Sequence, residues 1–316
     1  MKFSIITPAY NMERWISETI ESVLSQKGDF EIEYILQDGG STDKTVEVFK
    51  DYKARLEQNQ IPLLCKKITM IVAPEKDEGP FDAINKGFAK ATGDFYTWAD
   101  ADNTYAQGAL AGLAAVLTAF PDIQWLRGYS STMDEAGHRL RLKQSAVYRQ
   151  DWLQDGIYGM EAYFVQADTV FFSAALWNKV GPIPSEYKRA GDHWLWMQMA
   201  KYAPLWCVNL QTTNYRKRQG QLSMESRATQ ERWLARPKRS LKAWGARLFF
   251  SPQSRMAPRG EKFFLWLYPL LFMRGKHRTQ YIDFENGVPV KKWAKTFIIG
   301  DNPSYADIPE TLYQPH

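Results

Sequence analysis

The sequence predicts an α/β protein built on a mostly parallel sheet, and three observations predict it. Short runs rich in β-formers alternate four times with stretches of helical periodicity, the order that gives parallel strands joined by right-handed crossovers. Each run ends in a polar loop bearing Gly, Pro, Asp or Asn, and in such sheets ligands bind beyond the carboxyl ends of the strands. The 316 residues are 45% hydrophobic and 24% charged, a globular composition long enough for one large domain with an extension or for two ordinary domains.

The first strand is "KFSIIT" (2–7), after which Asn11 is placed to cap a helix whose Trp15, Ile16, Ile20, Val23 and Leu24 recur at helical spacing. "EIEYILQ" (31–37) is the second strand; its turn "DGGSTD" leads into a helix reaching about Leu56, with Ser41 or Thr42 as N-cap. "KITMIVA" (67–73) is the third, followed by a loop and a helix that turns Ile84 and Phe88 inward. The fourth, around Phe95 to Trp98, runs straight into "ADADN". Asp100 and Asp102 stand one residue apart there, and two carboxylates so close stay ionised only with a cation between them or in open water. Asp-x-Asp alone fits a solvated turn as well as a metal site. The loops at 7–11, 38–41, 74–79 and 100–103 all fall on one rim of the sheet, and that convergence favours the metal.

In order and spacing, "TPAYN", "QDGGSTDKT", "EGPFDAINKGFAKATGD" and "WADADN" resemble the nucleotide-binding half of the family 2 glycosyltransferases of the GT-A fold. The resemblance implies a Rossmann-like, mixed and mostly parallel sheet flanked by helices. It implies a transferase domain over 1–223, divided into a nucleotide-sugar-binding half (1–104) and an acceptor half (105–223). Thr7, Pro8, Ala9 and Tyr10 would line the base and ribose of a nucleotide-diphosphate sugar donor, and Asp38 would accept a hydrogen bond from the base; an ordinary turn aspartate is the other account of Asp38. Asp82, Asn85 and Lys86 match the family's D-A-x-N-K-G helix, where Lys86 either favours phosphate or faces solvent. Asp100 and Asp102 match the carboxylates that hold Mn²⁺ or Mg²⁺ against the diphosphate, hard oxygen ligands for hard ions. Asn103 departs from the pattern, since many relatives carry a second adjacent acid there.

Further on, "FVQADTVFFSAALWNKVGPI" and "AGDHWLWMQMAKY" resemble the acceptor half, in which an acidic residue at a helix start is the general base. Asp192 fits, with Leu195, Trp196 and Met199 on the buried face of that helix; an N-cap carboxylate favoured by the helix dipole is the plainer account. A base opposite the leaving group gives direct displacement with inversion at the anomeric carbon. "NYRKRQGQLS" (214–223) resembles a family segment that often carries His where this chain has Gln219. Arg216 and Arg218 are the nearest substitutes at the donor, Arg216 first.

Residues 215–280 carry 16 Lys or Arg against 3 Asp or Glu, a local +13, so the rest of the chain, 24 basic against 32 acidic, stands at −8. This predicts a basic, aromatic helical extension over 224–316. "RWLARPKRSLKAWGARLFF" (232–250) and the short apolar "FFLWLYPLLF" (263–272) suit an anionic membrane surface, packing on the catalytic domain or a homodimer contact. Nucleic-acid binding is disfavoured because no recognisable module accompanies the basic residues. The two cysteines, Cys65 and Cys207, lack metal-ligand spacing, and no run of eighteen apolar residues or signal peptide is present. These features point to a cytoplasmic protein, peripheral on the inner face of the membrane if the basic segment binds lipid. The expected function is an inverting, metal-dependent transfer of a sugar to a glycan or lipid-linked glycan acceptor in surface polysaccharide biosynthesis. A nucleotidyltransferase and a non-catalytic nucleotide-sugar-binding protein are the alternatives, although "TPAYNMERW" has no glycine to form a nucleotidyltransferase loop.

Overall fold

Strand β1 (Lys2–Ala9) turns Phe3 and Ile5 to one side and Ile6 to the other, all fully buried, as a strand covered on both faces of a parallel sheet must. The computed structural model describes residues 1–142, 145–158, 164–219, 221, 226–235, 279–294 and 298–299. After β1 come α1 (Ile16–Leu24), β2 (Gly28–Asp38), α2 (Thr45–Glu57), β3 (Cys65–Pro74), α3 (Pro80–Lys90) and β4 (Phe95–Trp98). The next elements are β5 (Thr104–Tyr105), α4 (Ala109–Ala119), β6 (Trp125–Met133), β7 (Arg139–Leu142), β8 (Ser145–Ala146), α5 (Gln150–Gln154) and β9 (Val170–Ser173). Then follow α6 (Ala174–Val180), α7 (Gly191–Met199), β10 (Trp206–Arg216), α8 (Ser226–Ala235), β11 (Gln280–Glu285), β12 (Val288–Trp293) and β13 (Ile298–Ile299).

Among the described residues one eleven-stranded sheet runs in the order β12-β11-β10-β6-β9-β4-β1-β2-β3, with β5 attached to β10 and β7 to β6. Strand β9 is antiparallel to both β4 and β6, so β6 and its parallel neighbour β10 run the same way as β1 to β4. The carboxyl ends at Ala9, Asp38, Pro74, Trp98, Met133 and Arg216 therefore share one rim. This is the mixed, mostly parallel α/β architecture that the sequence implies.

Apolar layers cover both faces. On one, α1 and α4 pack on Phe3, Ile5 and Tyr34; on the other, α3, α6 and α7 pack on Ile6, Trp98 and Trp125. Trp196 of α7 stacks on Trp98 at 5.5 Å with the rings 8° apart, and on Trp125 at 5.9 Å. Ring pairs in this range contribute beyond the area that they bury. The helix that carries Asp192 is thus docked on the strand that leads to Asp100.

The helix starts differ from the sequence expectation. Asn11 is not a cap: α1 begins at Ile16, and Asn11 sits in the left-handed region (φ 54°), where its Oδ1 accepts from the backbone N of Thr42 at 2.9 Å. Asn tolerates that conformation, and the bond ties the first rim loop to the second. Helix α2 begins at Thr45 because Ser41 is spent on the same contact, receiving the Asn11 N–H at 2.9 Å and donating to Asp38. Asp43 instead accepts from the Thr45 N–H at 3.0 Å.

The segment expected to be a helical extension from residue 224 is only partly so. Helix α8 is present, but β11 and β12 form an antiparallel hairpin that turns at Asn286 and Gly287 (φ 51° and 79°), a turn that requires φ > 0 at both central residues. The hairpin extends the main sheet through β10, and Ile282 is fully buried in its core, so the sheet crosses the expected boundary at 223. The stretch 236–278, which holds most of the basic and aromatic residues assigned to membrane or dimer contact, lies outside the described residues. Among the described residues no helix is long and apolar enough to cross a membrane.

Helix α3 seats the rim loop before it against β1 through Gly87, where a Cβ would lie 2.4 Å from Cγ2 of Ile6. Gly87→Ala gains helix propensity of about 1 kcal/mol, but overpacking a β-branched core contact costs about 1–3 kcal/mol. Urea unfolding is expected to show a net loss of stability, and a stabilised variant would mean that α3 moves off β1 freely.

Candidate active site

At the end of β4, Asp100 is exposed while Ala99 (2% exposed), Ala101 (2%) and Asp102 (3%) are buried. The turn is held from two sides. Thr19 Oγ1 of α1 donates to the carbonyls of Ala101 at 3.0 Å and Asn103 at 2.8 Å. From β10, the backbone N of Arg216 donates to Asn103 Oδ1 at 2.9 Å and its Nε to the Asp102 carbonyl at 2.9 Å. Asn103 also donates through Nδ2 to Asp168 Oδ2 at 3.2 Å. An aspartate at 103 could accept from Arg216 but could not donate to Asp168, and its charge would face another carboxylate. The amide is therefore required by its neighbours.

Four carboxylates meet here. Burial first, and then the charges of Asp102, Asp168 and Asp192, push the Asp100 carboxyl up to about 8, with Arg218 opposing. Because Asp100 opens into the cleft, water relieves part of the desolvation, and the mutual repulsion is what persists. Asp192 lies in the first turn of α7, 8% exposed, and burial raises its carboxyl to about 6 against the pull of Arg232 on α8. Its Oδ1 accepts from the His193 N–H at 2.7 Å. The helix start is fixed from outside: Glu231 Oε2 of α8 accepts from the backbone N of Arg189 at 2.6 Å and of Ala190 at 2.9 Å.

Of the two arginines expected at the donor, Arg216 does not reach the cleft and Arg218 does. Arg216, expected at the donor, is fully buried: its Nη2 pairs with Glu18 at 2.6 Å, and its Nη1 donates to the carbonyls of Asp134 (3.3 Å) and Glu135 (2.9 Å). With its nitrogens committed to protein oxygens, it braces the rim. Arg218, two residues on and past the strand end, reaches the cleft, with Nε 2.5 Å from Asp102 Oδ2 and its guanidinium 5.0 Å over the Trp15 ring. Among the described residues no group of three His, Cys, Asp or Glu could by itself hold a metal ion.

On the other side of the rim, Thr7 turns inward, fully buried with Oγ1 3.2 Å from the Tyr34 hydroxyl, while Pro8 is half-buried and Ala9 is buried. That strand end offers its backbone and the Tyr10 ring, which is 60% exposed. Asp38 is buried and holds its own turn: Oδ2 accepts from the N–H groups of Gly40 (3.0 Å) and Ser41 (2.9 Å), and Oδ1 from Ser41 Oγ (2.5 Å). Asp82 accepts from the Glu78 N–H at 3.0 Å and pairs with Lys86 at 3.2 Å. Lys86 also pairs with Glu75 at 3.5 Å and donates to the Lys76 carbonyl at 2.7 Å, so it locks its own loop rather than standing free for a phosphate.

Sequence reasoning passed over Asp77, Asp168 and Glu231. Asp77 closes against the second rim loop so tightly that a Cβ on Gly39 would lie 2.4 Å from its Oδ2, and burial raises its carboxyl, helped by Asp82 and Asp38. The glycine pair before it was the available signal. Asp168 lies inside the 164–183 segment that resembles the acceptor half, where no local signal singles it out, and Glu231 acts on a helix forty residues away. A cavity of about 490 Å³, lined by Tyr148, Arg149, Trp206 and Gln280 among others, lies at the amino end of β10, on the side of the sheet away from this rim.

A parallel sheet whose strand ends gather carboxylates and one exposed aromatic ring is an α/β framework built to take a polar ligand at its carboxyl rim. The chain belongs to glycosyl transferase family 2: that family's description, "Glycosyl transferase family 2", matches residues 4–171. A PGL/p-HBAD biosynthesis glycosyltransferase of Mycobacterium bovis BCG is 32% identical over 117 residues, 36% of this chain and 41% of that protein. The minor teichoic acid biosynthesis protein GgaA of Bacillus subtilis is 33% identical over 144 residues, 44% of this chain and 30% of that protein. The match thus spans less than half the length of these curated relatives. Among solved structures, S. aureus TarS 1-349 in complex with UDP-GlcNAc superposes with a TM-score of 0.57 at 19% identity, over 85% of this chain and 78% of that one, which shows the GT-A fold.

The raised Asp192 carboxyl has a measurable consequence. A folded-state value of about 6 against an ordinary 3.8 means that folding favours the protonated acid; that contribution is whole below about pH 4 and is lost as pH rises through about 6. Asp192→Asn is expected to leave stability nearly unchanged at pH 4 and to raise it by up to about 3 kcal/mol at pH 8. Urea titrations at the two pH values measure this, and an equal effect at both would mean that the carboxyl is solvated.

Proposed function

We propose that the chain transfers a sugar from a nucleoside-diphosphate sugar to a carbohydrate hydroxyl, with inversion, in the assembly of a surface glycan. The observation that carries this is the pairing of two acids in different environments across one cleft. Asp100 faces the cleft among other carboxylates, and Asp192 is buried on the helix docked opposite through the tryptophan stack. A carboxylate titrating near 6 is ionised at neutral pH and still basic enough to take a proton from an attacking hydroxyl. One base acting in one displacement inverts the anomeric centre.

The donor would lie along the rim, its base between Tyr10 and the Asp38 and Asp77 loops and its diphosphate towards Asp100 and Asp102. The donor set fits a divalent cation. The oxygens are hard, the excess of negative charge at Asp100 calls for a counter-charge, and Mg²⁺-like ions are held by one or two carboxylates with phosphate oxygens and water rather than by a protein cage. Bound there, Mn²⁺ or Mg²⁺ would offset the charge developing on the leaving diphosphate. Arg216 and Thr19 keep the 100–103 turn rigid; Glu231 and the tryptophans hold Asp192 in place. The matched relatives, a PGL/p-HBAD biosynthesis glycosyltransferase and a minor teichoic acid biosynthesis protein, support a cell-surface glycan as the product class.

A panel of nucleotide sugars assayed for hydrolysis with and without Mn²⁺ identifies the donor before the acceptor is known. With that donor, Asp192→Asn is expected to bind as the wild type does while transfer falls about a hundredfold or more. Transfer at near wild-type rate, or a product that retains the donor's anomeric configuration, would refute the assignment of the base.

A further inference from the structure

We propose that the cavity at the amino end of β10 binds a neutral stretch of glycan, so that a long acceptor is held at a second place remote from the site of transfer. The proposal rests on the sugar-transfer reading of the rim and adds to it a site that no motif of the sequence marks. The volume of about 490 Å³ lies within the range that takes small organic ligands. One wall is a row across three strands. Val208 of β10 pairs with Ile282 of β11, and Gln280 of β11 stands opposite Trp293 of β12. Because side chains two apart on a strand share a face, Trp206, Gln280 and Trp293 come side by side, with the two indoles carried on strands about 10 Å apart. Trp293 is 51% exposed. Trp206 is half-buried, and Lys291, opposite Ile282, sets its ammonium 4.6 Å from the indole ring. The other wall comes from the start of α5. There Arg149 is held by Asp151 in a two-pronged pair, Nε to Oδ1 at 3.0 Å and Nη2 to Oδ2 at 2.7 Å, and the Asp151 side chain stays 36% exposed.

This lining selects the class of ligand. Among the described lining residues the charged ones are Arg149 and Asp151, which cancel, so the cavity has no net charge with which to draw in a phosphate or an acidic polymer. A wholly apolar ligand would strip water from the Gln280 amide and the Asp151 carboxylate without replacing it. A sugar ring has the matching construction: a face of C–H groups that packs on an aromatic ring, and an edge of hydroxyls that each donate and accept. Position supplies the rest. Strand β10 runs from Trp206 at the cavity to Arg216 at the rim, roughly 30 Å of extended chain. One sugar cannot occupy both ends, but a glycan chain can. A chain bound at one site raises its own effective concentration at the other, which favours long acceptors over short ones with no change in the chemistry of transfer.

The test is an array of neutral and acidic bacterial surface-polysaccharide fragments, each present both as one or two sugars and as a long chain, probed with the full chain. The proteins are the wild type, Trp293→Ala, Trp293→Phe and Gln280→Ala, each checked for folding by its melting curve and assayed for hydrolysis of nucleotide sugars. The wild type is expected to bind long neutral glycans and to bind their short fragments more weakly. Trp293→Ala should lower that affinity about tenfold or more, Trp293→Phe less, and Gln280→Ala several-fold. Donor hydrolysis by all three variants should stay within about twofold of the wild type, since the two sites share no residue. Binding to no neutral glycan, binding confined to acidic glycans, equal binding of short and long chains, or binding unchanged by Trp293→Ala would each overturn the proposal. Donor hydrolysis without glycan binding overturns it and leaves the sugar-transfer reading intact. Glycan binding that depends on Trp293, in a protein that hydrolyses no nucleotide sugar, removes that reading and leaves the glycan site standing.

Discussion

The guanidinium of Arg216 is fully buried where three segments of the rim meet: Glu18 from α1, the Asp102 carbonyl from the turn after β4, and the carbonyls of Asp134 and Glu135 from the turn after β6. Taking such a charge out of water is costly, and it is tolerated only when its donors all find oxygens. That requirement runs in both directions. The arginine needs these loops closed around it, and the loops, rich in carbonyls that no strand satisfies, need its donors. The position of Asp100 and Asp102 relative to β10 follows from this one side chain, and so does the point where the chain leaves the sheet to bring Arg218 into the cleft.

Around that brace, charge is distributed by a second rule. Carboxylates that serve structure accept from backbone groups close at hand: Asp38 from its own turn, Asp43 from Glu13 and Thr45, and Glu231 from the start of α7. Asp100 and Asp192, in the cleft, are not balanced to the same degree. Asp100 carries the repulsion of three others, and Asp192 is desolvated with a single arginine opposing. Raised carboxyls of this kind collect where chemistry is done, because a charge that the fold leaves unbalanced is one that a ligand can balance. Asn103 marks the limit of this accumulation: its amide donates to Asp168 and accepts from Arg216 in a place where a fifth carboxylate would have no donor to offer.

The two halves of the cleft are joined through the sheet rather than across the opening. Trp196 lies between Trp98 and Trp125, so α7 is registered against β4 and β6 by stacked rings. A shift of Asp192 relative to Asp100 would require unstacking in a packed layer, where small displacements forfeit contact on both sides. The proposed role of Asp192, in which a base must meet a hydroxyl within hydrogen-bond reach, would draw on such stiffness.

By itself the sequence determined the succession of strands and helices and the side on which their loops converge, and it marked the acids at 38, 100, 102 and 192 as candidates on that rim. These are local matters: alternation, helical period and the turn chemistry of Gly, Asp and Asn act over a few residues and can be read off them. It did not determine where the helices begin, because Asn11 and Ser41 satisfy each other's loops instead of capping, a choice made between segments thirty residues apart. Only the tertiary structure decided that Arg216 is a brace and Arg218 the arginine of the cleft. It also decided that Lys86 closes its own loop, that Asp77 and Asp168 join the rim, and that a hairpin from 280–293 completes the sheet. Each of these turns on which partner lies within about 3 Å once the chain is folded. Two arginines two residues apart at the end of one strand are alike in sequence, and they differ in function because one meets four oxygens in the interior and the other a single carboxylate at the edge of open water.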